Sequence, residues 1–175
     1  MQDQQSVQPS APFRYRTIVA DPPWQRSGAG RPLTSGNHIR MTMAELLTAP
    51  VSALAHADAY LWMWCTNPTL RSAYQVLEAW DFTPRAPLTW IKACPGLDTH
   101  LRSRTEHLIL GTRGHADIHT HQQLTWMFAP TQVHGGRSDE EYALIERLSP
   151  GPYLGLFTNH TRTGWDICQD LTFTR

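Results

Sequence analysis

An α/β sandwich built on a mostly parallel sheet is predicted for this 175-residue chain by three observations. Apolar runs of strand length alternate with segments of helical period, the pattern of a sheet whose strands are joined across helices. Hydrophobic residues make up 41% and aromatic residues 10%, enough for one full core and one domain. The first strong run, Tyr15 to Ala20, stops at Asp21-Pro22-Pro23-Trp24, and in open α/β sheets ligands bind just beyond the carboxyl ends of strands.

The elements follow in order. Residues 1–12 are polar, rich in Gln and Ser and without period, which predicts a flexible tail ahead of a single domain over residues 13–175. Thr17 to Ala20 reads as a buried parallel strand, and Gln25 to Asn37, with Gly28, Gly30, Pro32 and Gly36, as an irregular loop over its end. Thr42 and Glu45 form a capping box that opens a helix over Met43 to Thr48. Ala59 to Cys65 is a dense apolar strand, and Asn67-Pro68 starts a helix to about Trp80 with Leu70, Ala73, Tyr74 and Leu77 at helical spacing.

Further strands are expected at Leu88 to Lys92, Glu106 to Gly111 and Leu124 to Phe128, with a Pro95-Gly96 break and a polar stretch to Ser103 after the first of them. Ser138-Asp139-Glu140-Glu141 opens a helix carrying Tyr142, Leu144, Ile145 and Leu148, which Pro150-Gly151-Pro152 ends. Tyr153 to Phe157 is the last strand expected. Tyr60, Trp62, Trp64 and Trp80 are assigned to the core; Trp90 and Trp126, beside polar segments, are kept as substrate contacts to be weighed against packing.

Composition narrows the function. The 15 basic and 15 acidic residues leave a net charge of +0, so no domain-wide basic field advertises a phosphate binder. Local clusters remain: Arg26, Arg31 and Arg40 around the glycine-bearing loop, and Arg102, Arg104, His107, Arg113 and His115 in a second segment. Lys92 is the sole lysine, and arginine suits phosphate forks and base edges. Cys65, Cys94 and Cys168 are odd in number and scattered, which fits reduced thiols and a cytoplasmic location. There is no charged, apolar signal segment and no membrane-length apolar run. His119 and His121, with His115 nearby, lack a companion cysteine or carboxylate cluster, so no metal is expected. Neither a G-x-G-x-x-G nor a P-loop is present.

The tetrapeptide Asp21-Pro22-Pro23-Trp24 carries the chemistry. The exocyclic amine of a base is a weak nucleophile because its lone pair is delocalised into the ring, so a catalyst has to hold its hydrogens. Asp21 accepts one hydrogen bond and the Pro22 carbonyl another, and consecutive prolines stiffen the backbone that aims them. Trp24 offers a flat face to an unstacked base, worth roughly 1–3 kcal/mol, against the few kcal/mol that extraction costs. Taken alone, the same four residues are also turn chemistry beside a core aromatic.

The chain resembles the MT-A70 family of S-adenosylmethionine-dependent adenine-N6 methyltransferases from about Arg14 onward. The resemblance rests on Ile18 to Trp24, Met41 to Leu46, Glu106 to Gly114, Ile145 to Pro152 and Gly164-Trp165-Asp166. It implies a Rossmann-like methyltransferase α/β/α sandwich of permuted order, catalytic tetrapeptide early and cofactor segment late. By resemblance Asp21, Pro22 and Pro23 form the catalytic turn, Trp24 stacks adenine and Glu106 lies near the substrate, with Arg40 and Arg104 as substrate-side cations. Asp21, Arg137, Asn159, His160, Gln169 and Asp170 match positions at the cofactor. The chain departs from the family at Gly155, where a glutamate is usual, at Asn159, where an arginine follows, and at Gln169-Asp170 and His38.

The expected activity is methyl transfer to the N6 amine of adenine in nucleic acid, DNA in preference to RNA because no RNA-binding module is appended. RNA methylation and a non-catalytic partner of the same fold are the alternatives, and cytosine-N4 methylation a third, disfavoured because that class more often has serine at the Asp21 position. A homodimer is expected.

Overall fold

The computed structural model describes residues 15–24, 40–92, 103–116, 123–129 and 139–171. The expected tail, the loop after Trp24 with Arg26, Arg31 and His38, and Cys94, Arg102, His119, His121, Arg137 and the Ser138 cap lie outside them. Ten principal elements follow in order: β1 (Tyr15–Ala20), α1 (Met43–Thr48), β2 (Ala55–Cys65), α2 (Leu70–Ala79), β3 (Thr83–Lys92), β4 (Thr105–Arg113), β5 (Trp126–Ala129), α3 (Asp139–Leu148), β6 (Tyr153–Leu156) and β7 (Trp165–Cys168). Single 3-10 turns precede β2 and α2.

One sheet holds all seven strands in the order β5-β3-β4-β2-β1-β6-β7. β1 pairs in parallel with β2 and β6, β6 with β7, and β3 with β5; β4 alone runs against its neighbours β2 and β3. This is the mixed, mostly parallel sheet of a Rossmann-like methyltransferase fold, and it sets the late strand β6 directly beside the early β1. The antiparallel β4 was not anticipated. Parallel neighbours need a crossover of a dozen or more residues, usually a helix, and the stretch between β3 and β4 carries no helical pattern in sequence.

Alternation along the strands builds two cores. Ile18, Ala20, Leu61, Met63, Ile109, Leu154 and Leu156 face Leu46 of α1 and Ala73, Val76, Leu77 and Trp80 of α2. Val19, Tyr60, Trp62, Trp64, Leu88, Trp90, Leu108 and Leu110 face Tyr142, Ile145 and Leu148 of α3 on the other side. Strands buried on both faces read as continuous apolar runs, which is why β1 and the second half of β2 were legible. Each fully buried side chain of this size contributes roughly 1.5–3 kcal/mol. Helix α2 rests against Gly111, where a Cβ would come within 2.8 Å of Leu77.

The capping box of α1 is present in both halves, with Glu45 N donating to Thr42 Oγ1 at 3.3 Å and Thr42 N to Glu45 Oε2 at 2.7 Å. Trp62, Trp64, Trp80 and Trp90 are all buried, so Trp90 is a core residue, its ring 5.2 Å from that of Trp64. Several boundaries moved, and one strand was added. β2 begins at Ala55 and β3 at Thr83, upstream of their apolar centres, and β7 was not expected as a strand. β3 tolerates Pro84 and Pro87 because its pairing with β5 starts only at Thr89 and its register against β4 shifts between the prolines.

Candidate active site

The carboxyl ends of β1, β2, β3, β6 and β7 and the amino end of the antiparallel β4 share one edge of the sheet. Register fixes this: Ala20 lies opposite Met63 and Leu156, Cys65 opposite His107, Trp90 opposite Glu106, and Leu156 opposite Cys168. Asp21-Pro22-Pro23-Trp24, Glu106, Thr158 to His160 and Gln169-Asp170, dispersed over 150 positions, therefore emerge along that edge. The chain reverses its direction of travel across the sheet between β1 and β6, and such switch points open a crevice for ligands.

The tetrapeptide is held by backbone. Asp21 N donates to Leu156 O at 3.0 Å, extending the pairing of β1 with β6, and Met41 N donates to Pro23 O at 3.1 Å. Trp24 N donates to Pro22 O at 2.8 Å, a tight turn across the second proline. The Pro22 carbonyl is thus not wholly open to a substrate as the sequence suggested; one lone pair is engaged and its second remains for another donor. Trp24 is half-buried, its Nε1 donating to Trp64 O at 3.1 Å, which pins the indole to the end of β2. Arg40 is exposed next to Met41, beside this turn.

A polar network unforeseen as a unit lies at the neighbouring strand ends. His107 Nε2 is 2.8 Å from Asn67 Oδ1, its Nδ1 is 3.2 Å from Thr89 Oγ1, and Asn67 Nδ2 donates to Ser103 Oγ at 2.9 Å. Burial pushes the His107 imidazole below its ordinary value, partly opposed by Glu106, so the ring is neutral near pH 7. Glu106 is ion-paired with Lys92 across β3 and β4. The second basic cluster read from sequence is split: Arg104 and His107 lie at this edge, while Arg113 and His115 lie about 30 Å away along β4. There Arg113 pairs with Asp81 at 3.1 Å and His115 N donates to Asp58.

The loop after β6 is held by a backbone bond at its start and by side chains beyond it. Phe157 takes φ 60°, a left-handed conformation that a bulky residue adopts only under constraint, and its N–H donates to Cys168 O at 2.7 Å. Arg162 forks onto Glu146 of α3, Nε to Oε1 and Nη2 to Oε2 both at 2.8 Å, and its Nη1 reaches Asp139 at 3.0 Å. Trp165 Nε1 adds a third hydrogen bond to Glu146 at 2.8 Å. The Arg162 hydrogen bonds hold the Glu146 carboxyl below its usual range, against an opposing desolvation. His160 stacks on Tyr142 at 4.8 Å with Nε2 3.3 Å from Asp139, while Asn159, Gln169 and Asp170 are exposed. Sequence reasoning missed Arg162 and Glu146, because the 16 positions between them hide their contact.

Asp21 after β1, Asn159 after β6 and Gln169 and Asp170 after β7 bring carboxylates and amides to this one edge, acceptors and donors of the kind that ammonium and hydroxyl groups require. Gly155 is different: a Cβ there would lie 2.8 Å from Thr158 and 2.9 Å from Ile167, leaving no room for a longer side chain. Among the described residues no group of three His, Cys, Asp or Glu could hold a metal, and no helix is long and apolar enough to cross a membrane.

Known proteins resemble this chain in sequence. The MT-A70 family model matches residues 15–169. An N(6)-adenosine-methyltransferase MT-A70-like protein of Arabidopsis thaliana is 25% identical over 86% of this chain and 23% of its own length. The type II methyltransferase M.MunI of Mycoplasma is 24% identical over 87% of this chain and 76% of its own. Human METTL3, an N(6)-adenosine-methyltransferase catalytic subunit, is 24% identical over 79% and 24% respectively. The chain spans about a quarter of the length of the plant and animal relatives it matches.

Proposed function

The chain belongs to the MT-A70 family, and we propose that it is an S-adenosylmethionine-dependent methyltransferase acting on the N6 amine of adenine in DNA. The observation that carries the reading is the meeting of Asp21 to Trp24 with the loop after β6 at one switch point. An unpaired adenine lies against the exposed part of Trp24. The Asp21 carboxylate and the second lone pair of the Pro22 carbonyl accept the two amine hydrogens and turn the nitrogen lone pair toward the β6 side. S-adenosylmethionine, when bound, would supply an electrophilic sulfonium methyl group whose bond to sulfur breaks as the amine nitrogen takes the carbon, leaving a neutral thioether. Asp21 accepts the proton that the amine sheds as its new bond to carbon forms. Asn159, Gln169, Asp170 and Arg137 hold the cofactor, Glu106 borders the base, and Arg40 and Arg104 meet phosphates.

The DNA preference is supported by the match to a type II methyltransferase of comparable length. RNA is the second reading, favoured by the word adenosine in the names of the plant and animal relatives. Incubation with methyl-labelled cofactor and matched DNA and RNA pools, followed by base analysis, decides between them. Label in N6-methyladenine of DNA is expected; label in RNA alone overturns the DNA reading, and label in N4-methylcytosine overturns the base. A non-catalytic partner is favoured by the closed packing at Gly155. Absence of any heat or thermal shift at millimolar S-adenosylmethionine would favour it over the enzyme.

A further inference from the structure

β5 is the outermost strand on its side of the sheet, and three large apolar side chains on it and just before it stand in solvent: Leu124 is 60% exposed, Trp126 46% and Phe128 69%. The Trp126 and Phe128 rings meet edge to face with centroids 5.5 Å apart. Register joins them to the candidate active site. Trp126 lies opposite Thr89, Thr89 opposite His107, and His107 opposite Cys65 at the end of β2; Phe128, Ile91 and Thr105 form the adjoining row. Residues opposed across strands share a sheet face. One row of opposed residues thus runs from Cys65 through His107 and Thr89 to Trp126, with Asn67 bonded to His107 and His107 to Thr89 along it, and the Trp24 indole is pinned to the backbone of Trp64 near its inner end.

Resting on the nucleic-acid reading above, we propose that Trp126 and Phe128 are a stacking platform for unpaired bases flanking the target adenine. Four strand spacings of about 4.8 Å separate β5 from β1, roughly 19 Å, which is about six nucleotides at 3.4 Å each along a stacked strand. Charge permits the path: residues 123–129 include no acid, and Glu106 on β4 is paired with Lys92. Area favours bases over a second protein copy. Aromatic side chains bury about 150–250 Å² each, so these partly exposed groups offer on the order of 300 Å², well under the roughly 800 Å² per partner of a stable interface. Stacking on aromatic faces tolerates every base, so the platform adds affinity with strand length and not with sequence.

Fluorescence anisotropy with labelled single-stranded DNA of four and of twelve nucleotides, each with one central adenine, tests this. The wild-type protein should bind the twelve-mer about tenfold or more tightly than the four-mer. Trp126→Ala and Phe128→Ala should each lose about fivefold or more on the twelve-mer, the double variant should bind the two lengths alike, and Trp126→Phe should keep most of the gain. A length gain that survives in the double variant overturns the platform, as does a shift in sedimentation from dimer to monomer, which assigns the patch to a second copy. Methyl transfer to DNA separates the two proposals: if it occurs while the double variant keeps its length dependence, only the platform falls. If the wild-type protein neither binds nor methylates any nucleic acid, both fall. Should Trp126→Ala fail to fold, Phe128→Ala, whose side chain is the more exposed, carries the same comparison.

Discussion

The turn Asp21 to Trp24 after β1 is held mainly through backbone hydrogen bonds, whereas the loop after β6 is also braced by carboxylates of α3. In the first, two imino rings, the Trp24 N–H on Pro22 O and the Met41 N–H on Pro23 O leave little freedom that pH or salt can alter. In the second, the Phe157 N–H on Cys168 O closes the turn, and the fork of Arg162 on Glu146, its reach to Asp139 and the Trp165 hydrogen bond, each involving a carboxylate, brace the residues that follow. A group that orients a reacting amine benefits from rigidity, since misplacement of about 1 Å can cost a hundredfold. A group that admits and releases a cofactor can be held by weaker, titratable contacts. The same sheet edge therefore joins a rigid loop to a loosenable one.

The largest expected effect breaks the chemistry and leaves that contrast standing. Asp21→Ala should lower methyl transfer about a hundred- to a thousandfold with a thermal midpoint within a few degrees of wild type; a collapsed fold would instead make Asp21 a turn residue. Arg162→Ala should cost about 1–2 kcal/mol, a half-exposed pair being discounted for solvent screening, and weaken S-adenosylmethionine binding severalfold in calorimetry. Arg162→Lys should recover only part of this, because an ammonium lacks the two-pronged fork. Equal loosening of both loops in hydrogen exchange would erase the distinction between them.

Trp24→Phe sharpens the comparison from the other side. It keeps a ring but loses the 3.1 Å bond to Trp64 O, so about 1 kcal/mol should be lost, with weaker substrate binding and unchanged cofactor binding. Acid provides the smallest and most selective perturbation. The Glu146 carboxyl is held below its ordinary value chiefly by Arg162, so its contribution is complete above the unfolded glutamate value and fades as pH falls through the folded one. Hydrogen exchange at pH 4 and pH 6 should show the loop after β6 opening first. An earlier opening of residues 21–24 would contradict the backbone account.

Several elements were legible because their causes are local. The Thr42 and Glu45 capping box fixed the start of α1, the apolar runs fixed β1 and the buried half of β2, and the acidic first turn of α3 suits the positive end of its dipole. β7 was missed because its four residues, Trp165-Asp166-Ile167-Cys168, are too few and too mixed to show a period, and it becomes a strand only by pairing with β6. His107 was read as one of a basic group, yet its ring is half-buried and hydrogen-bonded between Asn67 and Thr89, with its imidazole pushed below the ordinary value by burial. The long polar stretch after Lys92, with no helical pattern, was an available signal that β4 would return antiparallel.

By itself the sequence determined where the Asp21 to Trp24 turn falls, because short-range rules place it at the end of a buried strand. Tertiary structure alone decided what stands beside it. Pairing of β6 with β1 brought Phe157 to His160 to the same edge, Arg162 found Glu146 across 16 positions, and β5 carried Trp126 and Phe128 to the rim. The reason is range. Capping, imino rings and periodicity act over a few residues, whereas strand order and ion pairs are fixed only when the whole sheet buries its two faces at once.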